Sequence, residues 1–250
     1  MSADTATAHS AADTTTREPL TRPWILMYHS VADPTDDPYG ITVARDRLDL
    51  QLRWLRRRGL IGVGVGTLLR AHAHGNAAKL VGLTFDDGYA DFIDAALPVL
   101  RHHGCTATLF VLPGRIGGTN EWDPDGPRRP LIGEDGIRTA VAAGTEIASH
   151  GLAHTDLTRA GDEELRRETW LSRRWLAELT GRAPEGFCYP YGTVDARVAG
   201  AVRDAGYTYA CAIRPPTAVA GTYALARTHI SQADRAVRLG VKRLRHRLGR

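Results

Sequence analysis

Cysteine is scarce in this chain and is never closely paired. Cys105, Cys188 and Cys211 make an odd count, have no C-x-x-C spacing and sit in apolar surroundings. That pattern excludes a disulfide framework and a thiol metal knot, and predicts reduced core thiols. Long apolar runs are missing as well: no stretch approaches the roughly 18 residues of a membrane span. The first twenty residues are mostly Ala, Thr, Ser and Asp. They lack the basic start and apolar run of a secretory signal, so the sequence predicts a cytoplasmic protein. There is no internal repeat.

With 250 residues, 43% of them hydrophobic, the chain can bury one substantial core. Its formal net charge of +4 is concentrated at one end. Arg235, Arg238, Lys242, Arg243, Arg245, Arg247 and Arg250 follow Asp234 with no further acid, and the remainder is neutral to slightly acidic. Overall basicity is therefore a poor guide to the substrate. The end reads as an amphipathic helix, with Val237, Leu239, Val241, Leu244 and Leu248 partly lining one face and arginines elsewhere. A solvated face is the default expectation. Peripheral contact with an anionic membrane is the sharper one, and no nucleic-acid partner is expected. The organisation predicted is a disordered tail over 1–20, one folded domain over 21–232 and a basic helix over 233–250.

Between these ends, apolar runs of strand length alternate with helical patterns. Strands are predicted at 24–27, 60–65, 80–85, 107–112, 145–149, 187–189, 207–213 and near 225. Helices are predicted at about 48–55, 67–74, 89–103, 136–143, 162–180 and 194–205. Pro113 to Pro130 is a long Gly/Pro/Asp-rich loop containing Trp122, a length that is uncommon unless the loop covers a site. The β-then-α order predicts an α/β fold: a distorted, partly open (β/α) barrel of about seven parallel strands in a single domain. His29, Asp86, Asp87, His150 and the Tyr189-Pro190-Tyr191 turn each come directly after a predicted strand. They should therefore gather at the carboxyl face, where such a barrel keeps its chemistry.

Two carboxylates, Asp86 and Asp87, end an apolar run, and His150 and His154 lie four residues apart downstream. One carboxylate and two imidazoles can hold a divalent cation while leaving other positions open, and the second carboxylate is then free to act as a base. Plainer roles exist for each. An aspartate pair can cap the following helix, the two histidines can be surface residues, and His29 can be a satisfied buried donor. Trp54, Trp170 and Trp175 fit helix packing. His72, His74, His102 and His103, at helix ends without acidic partners nearby in sequence, read as exposed.

Thr84-Phe85-Asp86-Asp87-Gly88, His150 to His154, and Tyr189-Pro190-Tyr191-Gly192 together resemble the polysaccharide deacetylases, carbohydrate esterase family 4 or the nodulation-type homology group. Met27-Tyr28-His29-Ser30-Val31 is similar to the opening of the barrel in a bacterial branch, and the resemblance runs from about Trp24 to His229. It implies a metal-dependent hydrolase that removes an N-linked acetyl group from an amino sugar or glycoconjugate. Asp87, His150 and His154 would bind the metal, and Asp86 would be the general base. The Tyr191 N–H, in a turn fixed by Pro190, would hold the oxyanion. Zinc is the first expectation, with cobalt, nickel or iron as alternatives. Other readings are hydrolysis of a non-sugar amide, or a catalytically weak carbohydrate-binding module attached through its basic tail.

Three departures from the family pattern stand out. Gly151 replaces a frequent Ser or Thr. Cys188 stands where an Arg usually orients the base, with Arg227 a possible substitute. The Asp-Trp motif has no counterpart between Tyr207 and Thr222. The general acid is then expected to be His229, with His29 in reserve, and Trp122 is the candidate sugar platform.

Overall fold

The computed structural model describes residues 22–249, so the expected N-terminal tail lies outside the described residues. The first strand, β1 (Ile25–Tyr28), is apolar and buried at every position. A strand covered on both faces belongs in the middle of a parallel sheet. Two short strands, β2 (Ser30–Val31) and β3 (Thr42–Val43), pair in parallel beside it, and helix α1 (Arg45–Arg56) comes next. The Asp91 carboxylate accepts from the Val31 N–H at 3.0 Å and the Ser30 hydroxyl at 2.5 Å, which pins the segment just after His29.

The chain continues through β4 (Ile61–Val63), α2 (Val65–Ala73), β5 (Leu80–Phe85), α3 (Leu97–His102), β6 (Thr108–Val111), α4 (Glu134–Ala142) and β7 (Glu146–Ser149). Then come α5 (Asp162–Arg166), α6 (Ser172–Thr180), β8 (Gly186–Cys188), α7 (Ala196–Asp204), β9 (Tyr209–Ala212), β10 (Leu225–Ala226), β11 (Thr228–His229) and α8 (Ala236–Arg247). Nine of the strands form one all-parallel sheet ordered β10-β9-β8-β7-β6-β5-β1-β11, with β4 also paired to β5. It curls into a barrel left open between β10 and β11, with helices outside. This is the partly open architecture expected, with nine sheet strands where about seven were predicted. The difference comes from two-residue strands such as β11, which carry too little periodicity to recognise.

Side chains fill the barrel. The Tyr209 hydroxyl reaches Glu146 at 2.9 Å, and Glu146 also accepts from Thr108 Oγ1 at 2.7 Å and the Gly66 N–H at 3.0 Å. Gly186 makes room for that ring, because a Cβ there would lie 2.3 Å from Tyr209.

Two predicted helices contain a π-helical turn. Phe92–Ala96 precedes α3, and Arg167–Leu171 joins α5 to α6. Each such turn adds a residue to the helical repeat and so rotates the next helical segment about its axis. The three cysteines are free and buried, as expected. His103 is a correction: its side chain is buried and its Nε2 lies 2.8 Å from Asp49 of α1, a partner distant in sequence. Trp54 packs inside, whereas Trp170 and Trp175 are partly exposed. No helix among the described residues is long and apolar enough to cross a membrane.

Candidate metal centre

The carboxyl ends of β1, β5, β7, β8 and β11 bring His29, Asp86, Asp87, His150, the Tyr191 turn and His229 to one face, with His154 reaching in from the loop after β7. Asp87 Oδ1 lies 3.2 Å from His150 Nε2 and 3.4 Å from His154 Nε2, and all three residues are buried. Yet Asp87 Oδ1 has no hydrogen-bond partner of acceptable geometry. One ligand atom from each of the three residues lies within 4.8 Å of the other two. His150 is oriented from behind: its Nδ1 donates to the Cys188 carbonyl at 2.8 Å, which turns the Nε2 lone pair toward the site. An orphaned buried carboxylate oxygen beside two imidazoles suits a divalent cation.

The electrostatics agree. Burial by itself would raise the Asp87 carboxyl, but His150 and His154 outweigh it and hold the group well below the usual carboxylate range. Burial pushes the His150 imidazole down, and the two aspartates more than reverse this, leaving it raised. Asp87 and His150 are each stabilised in the charged form, the attraction a bound cation would satisfy in the imidazole's place. A second grouping, Asp86, His150 and Cys188, is less suited. Burial drives the Cys188 thiol well up, and Asp86 is already engaged.

What engages Asp86 is Arg227. Its Nη1 donates to Asp86 Oδ1 at 2.6 Å and to Thr84 Oγ1 at 3.1 Å, and its Nη2 lies 3.0 Å from Cys188 Sγ. The guanidinium at the end of β10 thus reaches Asp86 across the barrel, into the space beside Cys188. Burial would raise the Asp86 carboxyl, but Arg227, His29 and His150 together bring it below its ordinary value. His29 Nε2 stands 3.9 Å from Asp86 Oδ2. His229 lies behind it, the rings 6.4 Å apart, and burial, His29 and Lys242 lower its imidazole.

Around His154, Trp122 stacks at 4.4 Å and the half-exposed Tyr191 ring abuts edge-on at 4.6 Å. The long loop therefore does reach the site. Pro190 starts a tight turn in which Tyr191 takes φ 58°.

Glu168 was missed in the sequence. It sits in the second π-helical turn, buried, where one oxygen accepts from the Leu152 N–H at 2.6 Å and the Ala153 N–H at 3.2 Å, and the other from Thr155 Oγ1 at 3.2 Å. It ties down the loop that carries His154. Its sequence neighbours are charged helix residues that read as a solvated face, so only the shifted register reveals it. Glu168 also accounts for Gly151: a Cβ there would lie 2.8 Å from its carboxylate, and the backbone has φ +82°.

Comparison with known proteins agrees with this geometry. The family profile "Polysaccharide deacetylase" matches residues 73–210, more than half of the chain, and the chain belongs to that family. YxkH of Bacillus subtilis is 26% identical over 220 residues, covering 86% of this chain and 74% of its own. The peptidoglycan-N-acetylglucosamine deacetylase PgdA of Listeria monocytogenes is 29% identical over 122 residues, 48% of this chain and only 23% of PgdA. Among solved structures, the Streptococcus pyogenes deacetylase PplD in complex with acetate superposes with a TM-score of 0.76 at 22% identity. That match covers 88% of this chain and 97% of PplD, a likeness of fold.

Proposed function

We propose that the chain is a metal-dependent N-deacetylase of an N-acetylated amino sugar in a glycan or glycoconjugate. The observation that carries this reading is the side-by-side pair of buried carboxylates with different partners. Asp87 faces two imidazoles, and Asp86 faces a guanidinium. Family membership supports the reaction class. The substrate class draws on relatives such as PgdA and the Escherichia coli poly-beta-1,6-N-acetyl-D-glucosamine N-deacetylase, 35% identical over 78 residues.

In this reading Asp87, His150 and His154 hold a divalent cation, zinc first among those the donor set accepts. When bound, it supplies Lewis acidity toward the amide carbonyl and lowers the pKa of a coordinated water. Asp86, kept ionised by Arg227, takes the proton of the attacking water. The Tyr191 N–H, turned by Pro190, donates to the developing oxyanion. The amine leaves with a proton from the His29 and His229 side of the site, where His29 stands beside Asp86 and His229 meets the His29 ring edge-on. Acetate and a free amine are the products. Trp122 forms the wall on which a sugar ring can rest. Residues 21–232 then form the catalytic unit, and 233–250 the appended helix.

The test is acetate release from N-acetylglucosamine oligomers and small N-acetylated glycosides, with metal content measured in parallel. Asp86→Asn should bind metal and release no acetate, and Asp87→Asn should lose the metal. Acetate release by metal-free protein, or by Asp86→Asn at the normal rate, would refute the assignment.

A further inference from the structure

Apart from Lys242, which bonds the His229 carbonyl, the basic C-terminal helix does not touch the site, and its orientation is informative. Leu239, 2% exposed, is its single fully buried apolar side chain. On the same inner side, Lys242 Nζ donates to the His229 carbonyl at 2.6 Å and to Asp234 at 2.5 Å. The sequence grouped Leu239 with Val237, Val241, Leu244 and Leu248, but the structure separates them. The other four point away from the protein, at 79%, 44%, 57% and 59% exposure. Their spacings of four, three and four residues stack them in one outward stripe along the helix.

At 3.6 residues per turn, Arg238 and Arg245 fall along one edge of this stripe, and Arg243 and Arg247 fall beyond the other. Among the described residues, no carboxylate lies within ion-pairing distance of any of the four. Arg243 is also crowded by its own kind: partial burial and the charges of Arg247 and of Arg58, two residues beyond α1, lower its guanidinium below its ordinary value. An apolar stripe facing outward between rows of uncompensated cations has the cross-section of a helix that lies in a lipid interface.

We propose that α8 docks on an anionic lipid bilayer surface, its Val237-Val241-Leu244-Leu248 stripe in the acyl boundary and its flanking arginines at the headgroup phosphates. A second copy of the chain suits this face less well, since pairing two such stripes would bring arginine rows against one another. Nucleic acid would meet the arginines but leave the stripe without an apolar partner. Residues 1–21 hold Met1 and Leu20 as their large aliphatic side chains, too few to cover the stripe. Because β11 and α8 are joined by a short segment and bonded through Lys242, docking holds the barrel, and His229 with it, beside the lipid surface.

The experiment is cosedimentation of the full chain with vesicles of phosphatidylglycerol mixed with phosphatidylcholine, beside phosphatidylcholine alone, at low and high salt. Binding is expected only with the anionic lipid and should weaken with salt. Val241→Asn with Leu244→Asn should weaken it by roughly tenfold or more, and Arg238→Gln with Arg245→Gln by roughly thirtyfold. Helix content and acetate release from a soluble substrate should be unchanged in both pairs, which separates failure of docking from failure of the deacetylase reading. The proposal is overturned if anionic vesicles are not bound at low salt, or if the asparagine pair binds them as well as the parent. It is equally overturned by a solution dimer that the asparagine pair dissociates, or by DNA binding in place of vesicle binding.

Discussion

Arg227→Met tests the electrostatic logic of the site at its most sensitive point. The guanidinium and Asp86 are both buried and meet at 2.6 Å. Methionine keeps much of the volume and removes the charge. Taking one partner from a buried pair costs about 3–5 kcal/mol if the other stays ionised. The carboxyl can escape that cost only by taking up a proton. Its folded pKa is depressed in the parent, so the pair's stabilisation is present above the unfolded carboxylate pKa and lost as pH falls through the folded one. In the variant, burial is opposed by His29 and His150 alone. Destabilisation should therefore be largest at neutral pH and shrink toward acid. Because about 1.4 kcal/mol corresponds to a tenfold change in proton affinity, the acid limb of the rate profile should move up by roughly two pH units or more. Acetate release measured against pH, beside urea unfolding at neutral and acid pH, reads both effects. Arg227→Lys should be intermediate, since it keeps the charge and loses the fork to Thr84 and Cys188. A folded Arg227→Met enzyme with an unmoved acid limb would refute the argument.

The same geometry fixes four other outcomes. His150→Ala or Asp87→Asn should lose the metal on dialysis while Asp86→Asn retains it, as read by elemental analysis. Glu168→Gln should leave the fold intact and lower metal affinity by roughly 10- to 100-fold, the effect of loosening groups that orient a ligand; titration with a chelator as competitor measures this. His229→Ala should lower kcat by roughly 10²-fold or more if it delivers the proton to the leaving amine, and unchanged turnover would leave His29 alone in that role. Gly186→Ala should destabilise the barrel by about 1–3 kcal/mol in a denaturant melt, because its Cβ would meet the Tyr209 ring at 2.3 Å.

The sequence showed the residues whose position is set by a strand end and left obscure those whose position is set by tertiary register. Asp86 and Asp87 were legible because they close the apolar run of β5, and His150 because it closes β7. Arg227 could only be suggested as a substitute for the missing arginine, because it follows the short strand expected near 225 and precedes β11, whose two residues give no pattern that fixes their place. What decides it is β11 pairing with β1. Glu168 was hidden by the π-helical turn, which rotates an ordinary-looking helix residue inward. His103 was misread because its acidic partner, Asp49, is 54 residues away. The basic helix was found, but its apolar residues were assigned to one face when Leu239 alone faces the protein.

The backbone of the site explains how its candidate metal-binding side chains come together. Only four described residues other than glycine have positive φ, and three of them are Asp87 at 69°, His154 at 66° and Tyr191 at 58°. A left-handed conformation costs a residue with a Cβ roughly 1–2 kcal/mol, so three at one place need offsetting contacts. Each has them. Gly88, after Asp87, accepts from the Ile132 N–H at 2.7 Å, Glu168 holds the loop before His154, and Gly192, after Tyr191, accepts from the Ile213 N–H at 3.1 Å. The left-handed residues turn the chain sharply just beyond the strands, which keeps their side chains over the barrel mouth. Strain of this kind persists only where surrounding structure over-determines it. In this chain the over-determining groups are the long loop's anchor, the Glu168 carboxylate and the end of β9, and they make up the frame that holds one carboxylate and two imidazoles within reach of a single ion.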